Sequence, residues 1–204
     1  MKAHRFIIFF YLGAIHFAFT CLSKEFNFMD PKGVNSIIFQ MDAPLESING
    51  SANGISGTVS YNPGKPEATN GFIKLKASTL HSGNPVLVEH MHGEDWLDVA
   101  KFPDITFWLK QLQGIKNEGM HIVAEAEGKL CIKNVTVKMT VPVQITYLEN
   151  MLEKRNRVPG DLLVIRCKFT VKRDDFNIQP GEKLEKVSND IDISLNLAGF
   201  CLKK

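Results

Sequence analysis

The stretch "NVTVKMTVPVQITYL" (residues 134–148) has an apolar side chain at every second position. The apolar positions run from Val135 to Tyr147, and threonine, lysine, proline and glutamine stand between them. Because a strand turns successive side chains to opposite faces, the segment predicts a β-strand with one apolar and one polar face. Pro142 falls on the polar face and has no N–H to donate, which predicts a bulge or a sheet edge there.

Similar runs with the same period bring the count to about eight strands. They occupy residues 36–43, 56–61, 72–79, 104–112, 120–132, 162–171 and 190–199. Turn residues separate them, as at Asn53-Gly54 and Pro159-Gly160. Short strands joined by turns, with no long amphipathic helix, favour a single all-β domain, either a β-sandwich or a closed barrel.

Residues 1–23 have the pattern of a secretory signal peptide. Lys2 and Arg5 precede an apolar run over residues 6–22, which is short for a helix that spans a membrane. We therefore expect the protein to be secreted or periplasmic. An uncleaved N-terminal anchor is the alternative.

The cleavage site has two candidates, after Thr20 or after Ser23, and the mature domain is expected over about residues 24–204. Cleavage before Cys21 would also allow a lipoprotein that is anchored to a membrane through a lipidated Cys21. The residues before that cysteine lack the aliphatic side chain usual in such a signal.

Charge and cysteine content exclude several classes of protein. Without Lys2 and Arg5 the chain has 22 basic and 22 acidic residues, so no cationic field is available for nucleic acid. The mature part contains Cys131, Cys167 and Cys201, an odd number without C-x-x-C spacing, which argues against a zinc or redox motif. At most one disulfide could form, and buried thiols are the plainer interpretation.

The stretch "EHMHGEDWLDVAKFPDITFWL" (residues 89–109) suggests a metal site or an acid–base centre. On a helix, His90 and His92 would point about 200° apart and could not share a metal, whereas on a strand they could. The nearby acids sit among polar residues, where they would cap a helix or face water. We therefore expect no metal, no cofactor and no catalytic residue. A metal-dependent enzyme using His90, His92 and nearby acids remains an alternative.

The same stretch is rich in large apolar side chains. We expect one or two helical turns near residues 88–99, and Pro103 ends any helix before the next strand. Trp96, Leu97 and Phe102 are then expected to form a lid over an apolar interior.

Four segments resemble, in order, the motifs of the YceI-like family of secreted bacterial proteins. They are "GVNSIIFQMDAPLESINGSANGISGTVSYNP" (33–63), "HMHGEDWLDVAKFPDITF" (90–107), "GKLCIKNVTVKMTVPVQI" (128–145) and "KRDDFNI" (172–178). The likeness spans about residues 26–202.

The chain departs from the family's pattern at five positions. Lys133 and Asn134 replace a histidine and a glycine, and Asn177 replaces a glycine; asparagine tolerates positive φ better than most residues. Val86 and Leu87 stand where many members have an arginine and an acid, so the chain lacks those charges for a polar head-group contact.

The resemblance implies a lipocalin-like, eight-stranded antiparallel barrel with a short helix. It also implies a protein that is not an enzyme and that holds a long-chain isoprenoid or similar amphiphilic lipid, for storage or transfer across the periplasm. Eight strands leave a lumen that either packs shut or admits one slender ligand. The expected lumen residues are Phe39, Met41, Val59, Phe107, Leu109, Val137, Met139, Val141, Ile165, Phe169, Ile193 and Leu195.

A barrel packed solid, acting as a surface or partner-binding module, is a further alternative. Trp108, on the opposite face of its strand from Phe107, would be the exposed contact. Since barrel rims and exposed aromatics often pair, a homodimer is expected by analogy.

Overall fold

The computed structural model describes residues 22–203, so the predicted signal peptide and Cys21 lie outside the described residues. The strands are β1 (Lys24–Asn27), β2 (Ser36–Asp42), β3 (Ser47–Ala52), β4 (Ile55–Tyr61), β5 (Asn70–Lys76), β6 (His81–Ser82), β7 (Asp104–Glu118), β8 (His121–Ile132), β9 (Val135–Leu148), β10 (Gly160–Lys172) and β11 (Asp190–Leu202). The helices are α1 (Pro85–His92) and α2 (Leu152–Asn156), with short 3₁₀ turns at Pro66–Ala68, Ala77–Thr79 and Asp174–Phe176.

The strand segments form a closed barrel. β1 and β2 both pair with β11, so together they make one interrupted strand, and β3 with β4 makes the next. β5 continues the sheet beside β4, and β6 pairs with β3. The long strands β7 to β11 then pair in sequence and return to β1 and β2. The predicted eight-stranded antiparallel barrel with a short helix is confirmed.

The break between β1 and β2 is held by side chains that replace the missing ladder. Asn35 is buried; its amide nitrogen donates to the Phe28 carbonyl at 3.0 Å, and its amide oxygen accepts from the Ala198 N–H at 2.8 Å. Asp30 accepts two hydrogen bonds from the Arg155 guanidinium, at 3.0 and 2.8 Å. The barrel therefore stays closed where its first strand is interrupted.

The alternating pattern largely decides which side chains face inward. Along β8 every second residue from Ile122 to Ile132 is buried, and β9 follows the same alternation. A register shift between Leu109 and Gln111 changes the phase in β7, so Leu112 is buried. A β-bulge thus keeps the apolar side chain inside where strict alternation would turn it outward.

The helix begins earlier than the sequence predicted. α1 starts at Pro85 because the Asn84 side chain accepts a hydrogen bond from the Val86 N–H at 3.0 Å, and proline suits the first helical position. It ends at His92, and residues 93–101 form turns. Neither α1 nor any other helix among residues 22–203 is long and apolar enough to cross a membrane.

The tight turns bear out the interpretation of the replaced glycines. Asn134 and Asn177 have φ values of 63° and 54°, and Lys133 has φ 51°. Two successive residues with positive φ form the hairpin turn that matches the twist of β8 and β9.

The Asp30–Arg155 pair predicts an acid-dependent stability. The Asp30 side chain is 2% exposed. Burial alone would raise its pKa, but hydrogen bonds from Arg155 and from the N–H groups of Lys32 and Val34 lower the pKa to about 2. Because the folded pKa lies below the unfolded value of 3.8, this contribution is present above pH 4 and is lost as the pH falls toward 2.

We expect Asp30→Asn to lower the free energy of unfolding at pH 7 by about 2 kcal/mol, and by much less at pH 2. Urea unfolding across this pH range measures the difference. Asp190→Asn, at an exposed carboxylate, is the matched control and should change little. An equal loss at both pH values would contradict the assigned role of Asp30.

Candidate functional site

The inward faces of the strands enclose an apolar cavity of about 240 Å³. Every lining residue is apolar except Arg173, with the Cys167 thiol counted among the apolar groups. Most of the lining side chains are aliphatic, and a few are aromatic, among them Phe39, Phe107 and Phe169. The cavity, called the lumen below, offers a surface suited to an apolar ligand.

Ten of the twelve expected lumen residues line this cavity. They are Phe39, Met41, Val59, Phe107, Leu109, Val141, Ile165, Phe169, Ile193 and Leu195. Val137 and Met139 lie farther along β9, where they pack against the buried cluster that contains Leu130, Val171 and Phe176. The interior at that end is filled by side chains, so these two residues stand beside the cavity lining and not in it.

Several lining residues carried the right signal but were not singled out from the sequence. Ala126, Leu130 and Ile132 on β8 and Val143 and Ile145 on β9 continue the same alternation into the cavity. Leu80 and Met91, by contrast, come from the segment that connects β5 to β7, whose position no local pattern could predict.

The predicted lid is partly assembled over the lumen. Trp96 and Leu97 line the cavity, whereas Phe102 is half-buried outside the lining. Two long side chains hold this segment: the Lys133 ammonium donates to the Glu94 carbonyl, and the Gln179 amide donates to the Asp95 carbonyl, both at 3.1 Å.

Arg173 fastens the same end of the barrel and is 1% exposed. Its five N–H groups donate to backbone carbonyls at 2.8 to 3.0 Å; the acceptors are Ile178, Gln179, Glu182, Val187 and Ser188. The guanidinium also lies 5.4 Å from the centre of the Trp96 ring. Burial lowers the pKa of Arg173, and nearby Asp174 raises it. With all its donors used, Arg173 ties the loop after β10 to the lid and has none left for a ligand.

Sequence reasoning missed the role of Arg173, although it lies in the "KRDDFNI" segment that carried part of the resemblance. A single charged residue after a strand gives no sign that it will be buried. The contacts come from a loop whose path is fixed only in the folded protein.

A polar cluster lies at the opposite end of the barrel. The Lys24 ammonium donates to the Tyr147 hydroxyl at 2.7 Å and to the Asp161 carboxylate at 2.6 Å, and the Tyr147 hydroxyl donates to Asp161 at 3.0 Å. Burial raises the pKa of Asp161, but the Asn150 N–H and Lys24 outweigh it, so the pKa is lowered. The hydrogen bonds to Asp161 and Tyr147 raise the pKa of Lys24. This end is thus held by an ionised pair next to the apolar wall.

The histidines of the opening stretch lie outside the lumen. His90 is exposed on α1, and the His92 ring hydrogen-bonds the Leu80 carbonyl at 2.8 Å. Because His90 and His92 lie two residues apart on one helix, their side chains point in different directions, as expected for a helix. Within residues 22–203, no group of three His, Cys, Asp or Glu side chains comes together to hold a metal.

Trp108 is exposed on the outer wall, at 45%, and pairs across the sheet with Phe72, which is 38% exposed.

No disulfide joins Cys131, Cys167 and Cys201. All three are half-buried, and burial raises the pKa of Cys167 to about 12. The Cys167 thiol in the lumen is therefore neutral at physiological pH.

Arg173 should dominate the stability of the lid end. We expect Arg173→Ala to lower the free energy of unfolding by about 3–5 kcal/mol, because it leaves several buried carbonyls without donors. Arg173→Lys should recover only part of this loss, since an ammonium has three N–H groups. Urea denaturation measures both, with Lys172→Ala on the exposed face as the control. A loss below 1 kcal/mol for Arg173→Ala would contradict the assignment.

Comparison with known proteins agrees with this geometry. A family model described as the YceI-like domain matches residues 29–198. A UPF0312 protein of Pseudomonas fluorescens is 30% identical over 149 residues, which is 72% of each chain.

Among solved structures, Burkholderia cenocepacia BcnA matches with a TM-score of 0.65 at 20% identity, over 80% of this chain and 95% of BcnA. A polyisoprenoid binding domain from Saccharophagus degradans matches with a TM-score of 0.65 at 10% identity, over 89% of this chain and 99% of that one. At these identities the structures support the fold alone.

Proposed function

This chain belongs to the YceI-like family, and from that premise we propose that its barrel binds the apolar chain of an amphiphilic lipid in the lumen. The observation that carries the proposal is the lining, which is apolar apart from one arginine whose donors are all used. Such a surface gains free energy when an apolar chain displaces water, and it provides no polar group to activate a substrate.

The size of the lumen bounds the length of chain that it can enclose. An apolar cavity of about 150 Å³ holds one benzene molecule, with six carbons. By that scale the 240 Å³ lumen holds a chain of about ten carbons. A longer isoprenoid would have to move lining side chains or extend beyond the wall.

The affinity expected from this volume is moderate. At about 0.8 kcal/mol per buried CH₂, ten carbons give at most about 8 kcal/mol, which corresponds to a Kd near 1 μM. A carrier needs to release its ligand, so such an affinity suits transfer better than permanent storage.

An isoprenoid is the first chain to test. The Saccharophagus degradans neighbour is described as a polyisoprenoid binding domain, and it shares the barrel architecture. The leucine, isoleucine, methionine and phenylalanine side chains of the wall offer apolar contacts to such a branched chain.

The proposed role is to shield the chain from water while the lipid is stored or moved through the periplasm. The signal-like pattern of residues 1–23 motivates this location. Fractionation of the expressing cells, with mass spectrometry of the mature N-terminus, tests it. A soluble periplasmic protein that starts near Lys24 is expected; a diacylated Cys21 would assign the membrane-anchored form, and an intact Met1 in the cytoplasm would contradict the location.

We expect native mass spectrometry of the purified protein to show a bound apolar molecule at near one-to-one stoichiometry. Organic extraction should then release a lipid with an apolar chain. If preparations from several expression hosts carry no such molecule, and geraniol (a ten-carbon isoprenoid alcohol) does not bind to the purified protein, the proposed function is wrong.

Filling the lumen should block binding. Ile193→Trp adds a large ring to the lining, and we expect it to weaken geraniol binding at least tenfold, measured by titration calorimetry. Ile38→Trp adds the same ring on the outer wall, where residue 38 is half exposed, and should leave the Kd unchanged. Thermal unfolding confirms that both variants fold. Equal affinity for the two variants would place the ligand outside the lumen.

A further inference from the structure

The wall of the barrel is incomplete between β9 and β10. Backbone pairing runs from Leu148↔Leu162 to Val143↔Cys167 and stops there. Beyond that rung, residues 135–142 of β9 keep their pairing with β8, and residues 168–172 of β10 keep theirs with β11. Over this stretch, called the split below, no backbone ladder joins the two strands within the described residues.

The sequence explains where the split begins. Pro142 is the first residue of β9 beyond the last rung, and it has no N–H to extend the ladder. Pro142 still pairs with Glu125 of β8, so the pairing of β8 with β9 has no bulge at this position. The sheet edge that Pro142 predicted therefore faces β10.

Apolar side chains pack at the split, where backbone hydrogen bonds between β9 and β10 are absent. Phe176, on the 3₁₀ turn after β10, is buried in a cluster with Val171, and Val137, Met139 and Phe169 pack against that cluster. Opening the split therefore separates packed side chains and breaks no ladder between β9 and β10. The two ends of the lumen are held by polar contacts, those of Arg173 at one end and the Lys24–Asp161 pair at the other.

A groove of about 510 Å³ crosses the outer wall at the level of the last rung. It shares Val143, Cys167 and Leu195 with the lumen lining, so a single layer of backbone separates the two spaces.

The groove differs from the lumen in its chemistry. Its charged residues are Lys116, Arg166 and Lys168, with Glu125 as the one carboxylate. Three cations against one anion favour a negatively charged group, and the planar guanidinium of Arg166 suits phosphate or carboxylate oxygens.

We propose, on the basis of the proposed function, that the split is the side entrance through which the lipid chain reaches the lumen, and that the groove holds an anionic head group at Arg166 and Lys168. The chain then passes between β9 and β10 beside Pro142, with its charged end in water. This arrangement also accommodates a chain longer than ten carbons, because part of it remains in the split.

The head-group site is tested with two probes that share one tail, geranyl phosphate and geraniol. We expect the unmodified protein to bind the phosphate roughly three- to tenfold more tightly than the alcohol. The double change Arg166→Glu/Lys168→Glu should abolish that preference and leave geraniol binding unchanged. The control Lys65→Glu/Lys76→Glu makes the same change of net charge at exposed positions outside the groove, and should keep most of the preference.

Equal binding of the two probes by the unmodified protein, or an equal loss of preference in the control, would overturn the head-group assignment. If neither probe binds to the unmodified protein, the proposed function itself fails. These two failures are therefore distinguishable.

The entrance is tested by linking the strands across the split. Continuing the register of the last rung places residue 140 opposite residue 170, both exposed threonines. Thr140→Cys/Thr170→Cys, joined by a short bifunctional thiol reagent and checked by peptide mass mapping, should slow geraniol release at least tenfold. Lys129→Cys/Lys138→Cys, joined in the same way across the intact β8–β9 ladder, is the control and should release geraniol at the unmodified rate.

Release is followed by tryptophan fluorescence after rapid dilution, because Trp96 lies in the lumen lining. Equal release rates for the two linked proteins would show that the chain does not pass through the split. It would then have to leave past the lid.

Discussion

Closure of the barrel is the constraint on which the rest of this structure depends. The ladders from β7 to β11 continue into β1 and β2, so the inward side chains of eight strands face one common interior. A ring of eight strands encloses an interior that side chains can just fill or that one slender ligand can occupy. Here Phe176 and Ile178 fill one end, and the middle keeps a cavity lined by aliphatic side chains.

Polar contacts matter most where the sheet is interrupted or ends. Arg173 donates hydrogen bonds to the carbonyls of a long loop. Asp30, in the break between β1 and β2, pairs with Arg155 of α2, and Asp161 contacts both Lys24 and Tyr147. Each charge is paired or fully hydrogen-bonded, as burial requires. Because these groups are used in holding the fold, the lumen itself offers little chemistry beyond apolar contact. Polar side chains thus stabilise the fold while apolar side chains line the interior, and this separation supports a role in binding.

The sequence predicted the fold well because strand alternation is local. Every second residue from Val135 to Tyr147 could be assigned to one face of the strand from the spacing alone. The resemblance to the family motifs then favoured a barrel over a sandwich. What the sequence could not provide came from contacts between distant segments. The burial of Arg173 depends on a loop that returns to it, and the absence of Phe102 from the lining depends on how the segment after α1 lies across the rim. The phase change before Leu112 follows from register, which a single strand does not specify. The end of pairing beside Pro142, by contrast, agrees with the sheet edge that this proline predicted.

The hollow interior is the central claim, and a high-resolution crystal structure of protein purified without removal of lipid tests it most directly. The account predicts elongated, continuous density along the lumen, in contact with Phe107 and Ile193 and free of ordered water. A lumen closed by rearranged side chains, or filled by a hydrogen-bonded chain of water, would contradict it.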